Sequence, residues 1–169
     1  MVDVAKLTML AIAYDAGDAR RVQHFLKVCA FCRVIGQKEG LDAHTQNTLE
    51  AAAVLHDIGI HEAERKHGSS AGKWQEQEGP AVAAPLLAEA GADADETARI
   101  LWLIAHHHSY DASEALDFRI LLEADFLVNA YEDALPPEAC QTACTRLFRT
   151  HTGRALLRDL YLAPPYIPA

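Results

Sequence analysis

Residues 42–59, DAHTQNTLEAAAVLHDIG, read as one amphipathic helix that ends on two polar side chains. Asp42 stands where an N-cap belongs, its carboxylate able to accept from the first free backbone N–H groups. Leu49, Ala52, Ala53 and His56 then recur at i, i+3, i+4 and i+7, the stripe of a helix with one buried face. Gly59 supplies a stop. A face bound for the core therefore closes on an imidazole, with the Asp57 carboxylate beside it.

The same period governs most of the chain on either side. A first helix ends near residues 15–18, where Gly17 stops it and Asp18 caps a second, which runs to about Lys38 and closes at Gly40. Residues 63–78 are polar, contain Gly and Ser and show no period, so they read as an irregular segment of a length usually tied to function. Gly79-Pro80 reads as the opening of a fourth helix that stops at Gly91, with proline in its tolerated first position. A fifth is expected from about Asp95 to His107 and a sixth over residues 116–131. Pro136-Pro137 opens a seventh that ends near residues 151–153, and a short last helix precedes the Pro-rich tail, residues 163–169. Nothing alternates as a strand, and no repeat or linker divides the chain. The expectation is one all-α domain over residues 1–169, an orthogonal helical bundle, with a chemical core at about 18–132 and C-terminal helices and tail at 136–169.

Half of the 169 residues are hydrophobic, enough for a sizeable core. A net charge of −9 excludes sequence-independent binding of duplex nucleic acid, which needs a basic footprint. It does not exclude a small phosphorylated substrate, since a bound cation can supply local positive charge. The apolar run 9–14 is too short for a membrane span or signal peptide, so no membrane partner and a cytoplasmic location are expected. The tail can pack on its own domain or on a second copy, forming a homodimer. Cys29/Cys32 and Cys140/Cys144 lie within helical patterns without the Gly-rich turns of zinc knuckles, and read as buried, reduced thiols.

Four segments put metal-capable side chains on faces that otherwise look buried. His24 shares a stripe with Val28, Phe31 and Ile35; His107 shares one with Ile100, Leu103 and Ile104, with His106 next to it. Asp125 sits within the nearly unbroken apolar run 120–128, where a carboxylate stays ionised only if paired or metal-bound. Glu123 projects about 200° away on the wheel and is expected to face solvent. Singly, each has an ordinary structural explanation: a hydrogen-bonded core histidine, or an ion pair of Asp125 with Arg20 or Arg119. Together they form a mixed nitrogen and oxygen set suited to a first-row divalent ion.

The order His24, His56-Asp57, Asp125 resembles the HD superfamily of metal-dependent phosphohydrolases, named for that doublet. Residues 54–59 (VLHDIG) resemble its central motif, 21–25 (RVQHF) its first-histidine motif and 122–127 (LEADFL) its final-aspartate motif. The resemblance spans roughly residues 20–130. It implies the family's helical bundle, His24, His56, Asp57 and Asp125 as ligands to one divalent ion, and Asp57 as a catalytic residue that also orients the attacking water. Branches with two metals add a His at the start of the helix after the doublet and further His before the final Asp. Here Glu78 takes the first place and His106-His107 the second, so one or two ions (Mn, Fe, Co, Ni or Mg) are implied, the Glu tilting a second site towards Mn or Fe. Ser109-Tyr110-Asp111 lacks the Gly-Tyr-Pro motif of the cyclic-di-GMP branch, which argues against that substrate.

A divalent ion makes bound water a nucleophile at neutral pH, which phosphoester hydrolysis needs. The implied reaction is hydrolysis of a small phosphorylated metabolite, with a nucleotide favoured. Many relatives carry a Lys three residues after the doublet, where this chain has Ile60. The segment 65–73 is the candidate replacement. It is one residue short for a Walker loop and lacks the Ser/Thr after its Lys, so it is not read as an ATP-binding loop. Either it covers the metal pocket, with Lys73 and Ser69 or Ser70 on the substrate phosphate, or it is a solvated loop packed on Trp74. Two further readings stay open: a diiron oxygenase of the same superfamily, and a non-catalytic sensor or scaffold on the same fold.

Overall fold

A computed structural model of the chain describes residues 1–164; residues 165–169, and with them most of the Pro-rich tail, lie outside the described residues. The described residues form nine α-helices, α1 (Val4–Tyr14), α2 (Ala19–Glu39), α3 (Ala43–Leu55), α4 (Ile60–His67), α5 (Gly72–Glu89), α6 (Ala94–Ile104), α7 (Leu116–Glu132), α8 (Pro137–Arg146) and α9 (His151–Leu157). A π-helical turn, Arg158–Leu162, follows α9. No strand occurs among the described residues, and the fold is the expected all-α one. None of the described helices is long and apolar enough to cross a membrane.

α3 is the centre of the molecule. Asp42 caps it by accepting from the N–H groups of His44 and Thr45, and every residue from Thr48 to Leu55 is buried. It packs on α1, α2, α6 and α7. A helix covered on all sides holds its C-terminal end rigidly, and that end presents His56 and Asp57. α2, capped by Asp18 and closed by Gly40 at φ 80°, lies along both α3 and α7.

The chain departs from the sequence reading in the stretch after the doublet. Residues 63–78 are not irregular: α4 runs to His67, and α5 is already under way at Gly72. α4 is almost wholly polar, burying only Ala63, so it has no apolar stripe to reveal it. Its marks are those of charge and capping: Glu62 in the first turn, Arg65, Lys66 and His67 in the last, and Gly68 at φ 63° after it. Gly79-Pro80 does not open a helix, because both Pro80 and Pro85 lie inside α5. Nor is Gly59 a left-handed stop, its backbone being right-handed at φ −76°. A Cβ there would lie 2.7 Å from the Gln75 carbonyl oxygen and from the Gly79 nitrogen, so Gly59 and Gly79 let α5 cross close to the doublet.

Further on, α6 ends at Ile104 and the chain turns through His108, instead of continuing as helix to His107. The seventh helix of the sequence reading is two: α8 ends at Arg146, and Thr150 caps α9 by accepting from Gly153 N–H. Glu123, expected to face solvent, is fully buried, because α9 covers the side of α7 opposite the metal-capable cluster. All four cysteines are free and buried, and none joins a metal-capable group among the described residues.

Candidate metal centre

Four elements deliver side chains to one point. α2 brings His24, the turn after α3 brings His56 and Asp57, the turn after α6 brings His107 and His108, and α7 brings Asp125. His24 Nε2 lies 3.3 Å from His56 Nε2, 3.2 Å from Asp125 Oδ1 and 3.5 Å from Asp57 Oδ2. His56 Nε2 is 3.5 Å from Asp57 Oδ2 and 3.6 Å from Asp125 Oδ1. The other Asp57 oxygen, Oδ1, lies 3.4 Å from His107 Nε2.

The outer nitrogens of these rings are all tied. His56 Nδ1–H donates to the Ala53 carbonyl and His107 Nδ1–H to that of Ile104, each at 2.8 Å, and His24 Nδ1–H donates to Glu132 Oε2 at 2.9 Å. With the proton held at Nδ1, each neutral ring turns an Nε2 lone pair inward. Three nitrogen acceptors and two carboxylates thus face one another with no donor among them. His107 Nε2 is buried and has no hydrogen-bond partner among the described residues. Such an all-acceptor centre is completed by a cation, and its nitrogen and oxygen donors suit a first-row divalent ion.

Without a cation, protons take that part. Burial works against a charged His56, but the Asp57 charge and the hydrogen bond to Asp125 prevail and push it up to about 9. His24 moves the same way: against burial, the hydrogen bond to Asp125 and the charges of Asp57 and Asp125 raise it. Burial would raise Asp57 and Asp125, yet the surrounding imidazoles hold both well below the usual carboxylate range. His108 is pushed down to about 4 by burial and by neighbouring His107.

Two metal-capable groups share Asp57: His24, His56 and Asp57 on one side, and Asp57, His107 and His108 on the other. Asp125 closes on the first from α7. The sequence reading placed Glu78 and His106 in the second group, and the structure places neither there. Glu78 accepts from Lys66 at 2.5 Å, His67 at 2.9 Å and Gln77 at 3.0 Å, and the first two hold it down at about 2. His106 stacks on Trp102 and donates to its carbonyl at 2.7 Å. His108 stands in its place, because the chain leaves the helix at Ile104 and a helical wheel no longer describes residues 105–108.

Through His24 and Asp57 the centre opens into a cleft of about 360 Å³. Ser70 lines it, as do Asp18, Arg20, Arg21, Ile60, Gln75, Asn129, Glu132 and Asp133. Of the other expected phosphate contacts, Ser69 Oγ is used within its own turn, accepting from Ala71 N–H. Lys73 is exposed and lies over the Trp74 ring at 4.4 Å, away from the cleft lining. Of residues 68–71, Ser70 alone lines the cleft. Arg20 and Arg21 do line the cleft, and the sequence reading gave them no substrate role; their doublet at the start of α2, three and four residues before His24, was the available signal. Asn129 and Glu132 were also missed, although they follow Asp125 at i+4 and i+7 on one helix face.

An all-α bundle that gathers a His-Asp doublet, a preceding His and a late Asp at one point is the architecture of a metal-dependent hydrolase of the HD type. Residues 21–144 match the HD domain family, and the chain belongs to it. A solved structure of similar fold is that of a predicted HD superfamily hydrolase from an uncultured Thermotogales bacterium. It is 25% identical, with a TM-score of 0.64, and the match covers 94% of this chain and 83% of that one. No curated protein matches the sequence.

Proposed function

We propose that this protein is a phosphohydrolase that cleaves a phosphoester of a small phosphorylated metabolite, a nucleotide being the favoured class, in the cytoplasm. The observation that carries the reading is the all-acceptor centre, which opens through His24 and Asp57 into a cleft that also carries two arginines. His24, His56, Asp57 and Asp125 would hold one divalent ion, and Asp57, His107 and His108 a second. Such ions supply an acidified water nucleophile and neutralise phosphoryl charge. Asp57, shared by both groups, is the carboxylate we assign to orient the attacking water.

The substrate's anionic charge has a counterpart in the chain itself. Arg21 donates through Nε to Asp18 and through Nη2 to Glu64, while its Nη1 is buried without a partner among the described residues. Arg20 is largely exposed, with only a 3.6 Å contact to Asp133. A guanidinium matches phosphate oxygens in geometry and charge, so the pair supports a phosphate-binding role in the cleft that Ile60 also lines.

The test is phosphate release from nucleoside monophosphates and p-nitrophenyl phosphate, after chelation and reconstitution with Mn, Fe, Co, Ni or Mg. Activity should depend on the added ion, and Asp57→Ala should lower it by about 10²–10⁴-fold with helicity by circular dichroism unchanged. Metal-loaded protein inactive across the panel would overturn the reading and favour a non-catalytic sensor.

A further inference from the structure

The inward face of α7 carries Asp125, Asn129 and Glu132 at i, i+4 and i+7. Asn129 Nδ2–H donates to Asp125 Oδ1 at 2.9 Å and so fixes the carboxylate beside it. Glu132 reaches across to α2, where its Oε2 accepts from His24 Nδ1–H at 2.9 Å. Its Oε1 accepts from Lys27 at 2.5 Å, and only 12% of its side chain is exposed.

His24 needs such a partner more than the other rings do. His56 and His107 lie in turns at helix ends, where a carbonyl three residues back is free to take the Nδ1 proton. His24 lies within α2, where the preceding carbonyls are bound by the helix itself. Glu132 is the acceptor that fixes its proton at Nδ1 and so keeps Nε2 as the inward-facing lone pair.

We propose that Glu132, braced by Lys27, is a positioning residue of the centre: it holds the Nδ1 proton of His24 and thereby aims Nε2 at the ion. The inference rests on reading the cluster as a metal site. Carboxylates behind ligating histidines commonly tune affinity in this way, and their loss weakens binding about 10–100-fold. One face of α7 then does three jobs, supplying one ligand, orienting it, and orienting a ligand on another helix.

The test is a titration of chelated protein with Mn²⁺, followed by electron paramagnetic resonance, and with Co²⁺, followed by its visible spectrum. Glu132→Ala should bind Mn²⁺ about 10–100-fold more weakly than wild type and shift the Co²⁺ bands. Glu132→Gln, which keeps an acceptor oxygen, should recover part of the loss. Lys27→Met should show a smaller loss of the same sign, and serves if Glu132→Ala fails to fold. Glu123→Ala, removing a buried carboxylate from the opposite side of α7, should leave Mn²⁺ affinity unchanged. Wild-type affinity in both Glu132→Ala and Lys27→Met overturns the proposal, as does an equal loss in Glu123→Ala, which would trace the effect to the seating of α7. Wild-type protein that binds neither ion overturns the metal-site reading itself and the positioning role with it.

Discussion

Glu123 lies two residues before Asp125 and is fully buried, its carboxylate accepting from the N–H groups of Arg149 and Thr150 and from the Thr150 hydroxyl. It ties α7 to the start of α9, and Gly153 leaves the room, since a Cβ there would lie 2.0 Å from Glu123 Oε2. Glu123→Ala strands two backbone donors and a hydroxyl, and should cost about 2–4 kcal/mol, read by urea denaturation. Burial raises the Glu123 pKa, the hydrogen bonds from Thr150 and Arg149 only partly opposing it. The folded state therefore holds this proton more tightly than the unfolded state, and the stability Glu123 contributes falls as pH rises from the ordinary value through the raised one. The stability difference between wild type and Glu123→Gln should move against wild type as pH is taken from 4 to 7; a pH-independent difference would refute this. On the metal side, removing the Arg21 guanidinium by Arg21→Met should cost about 1.5–3 kcal/mol of substrate interaction. That is roughly 10- to 100-fold in kcat/KM, carried mostly by KM.

At the scale of elements, the crossing of α5 over the doublet depends on Gly59. Its missing Cβ would meet backbone atoms of Gln75 and Gly79, which cannot rotate away as a side chain can. Gly59→Ala should force the helices apart and cost about 1–3 kcal/mol, visible as a lower Tm. It should also weaken Mn²⁺ binding, because Asp57 lies in the same turn. This crossing marks where the sequence stopped being readable. α2 and α3 were legible because caps and apolar stripes agree, and α7 from its apolar run alone; the structure brings His24, His56, Asp57 and Asp125 together from them. α4 was not, because its stability comes from charge pairs such as Glu62–Arg65 and from neighbours, not from an apolar face. Gly79-Pro80 carried a local helix-start signal that packing against Gly59 overrides. Glu123 was misplaced, and His106 taken in place of His108, for one reason: a helical wheel assigns direction relative to an axis, and knows neither what covers the far side nor where the helix ends.

For the molecule as a whole, the centre links folding, metal and pH. An ion that binds only the folded chain stabilises it by about 2.7 kcal/mol at a hundredfold excess over Kd. For a chain of this size that raises Tm by roughly 5–10 °C, and chelation should reverse it. Asp125→Ala should abolish the response. Protons compete for the same atoms, which sets the pH dependence. In the metal-free chain His56 is raised to about 9, above its ordinary value of 6.5. Its contribution to the metal-free fold is therefore complete below 6.5 and is lost as pH rises towards 9. A bound divalent ion displaces that proton, so its affinity climbs through the same interval. At fixed Mn²⁺, the Tm gap between loaded and chelated protein should widen steadily from pH 6.5 to 8.5. A gap that stayed flat would mean that the ion does not take the place of the His56 proton, and would move the binding site away from the doublet.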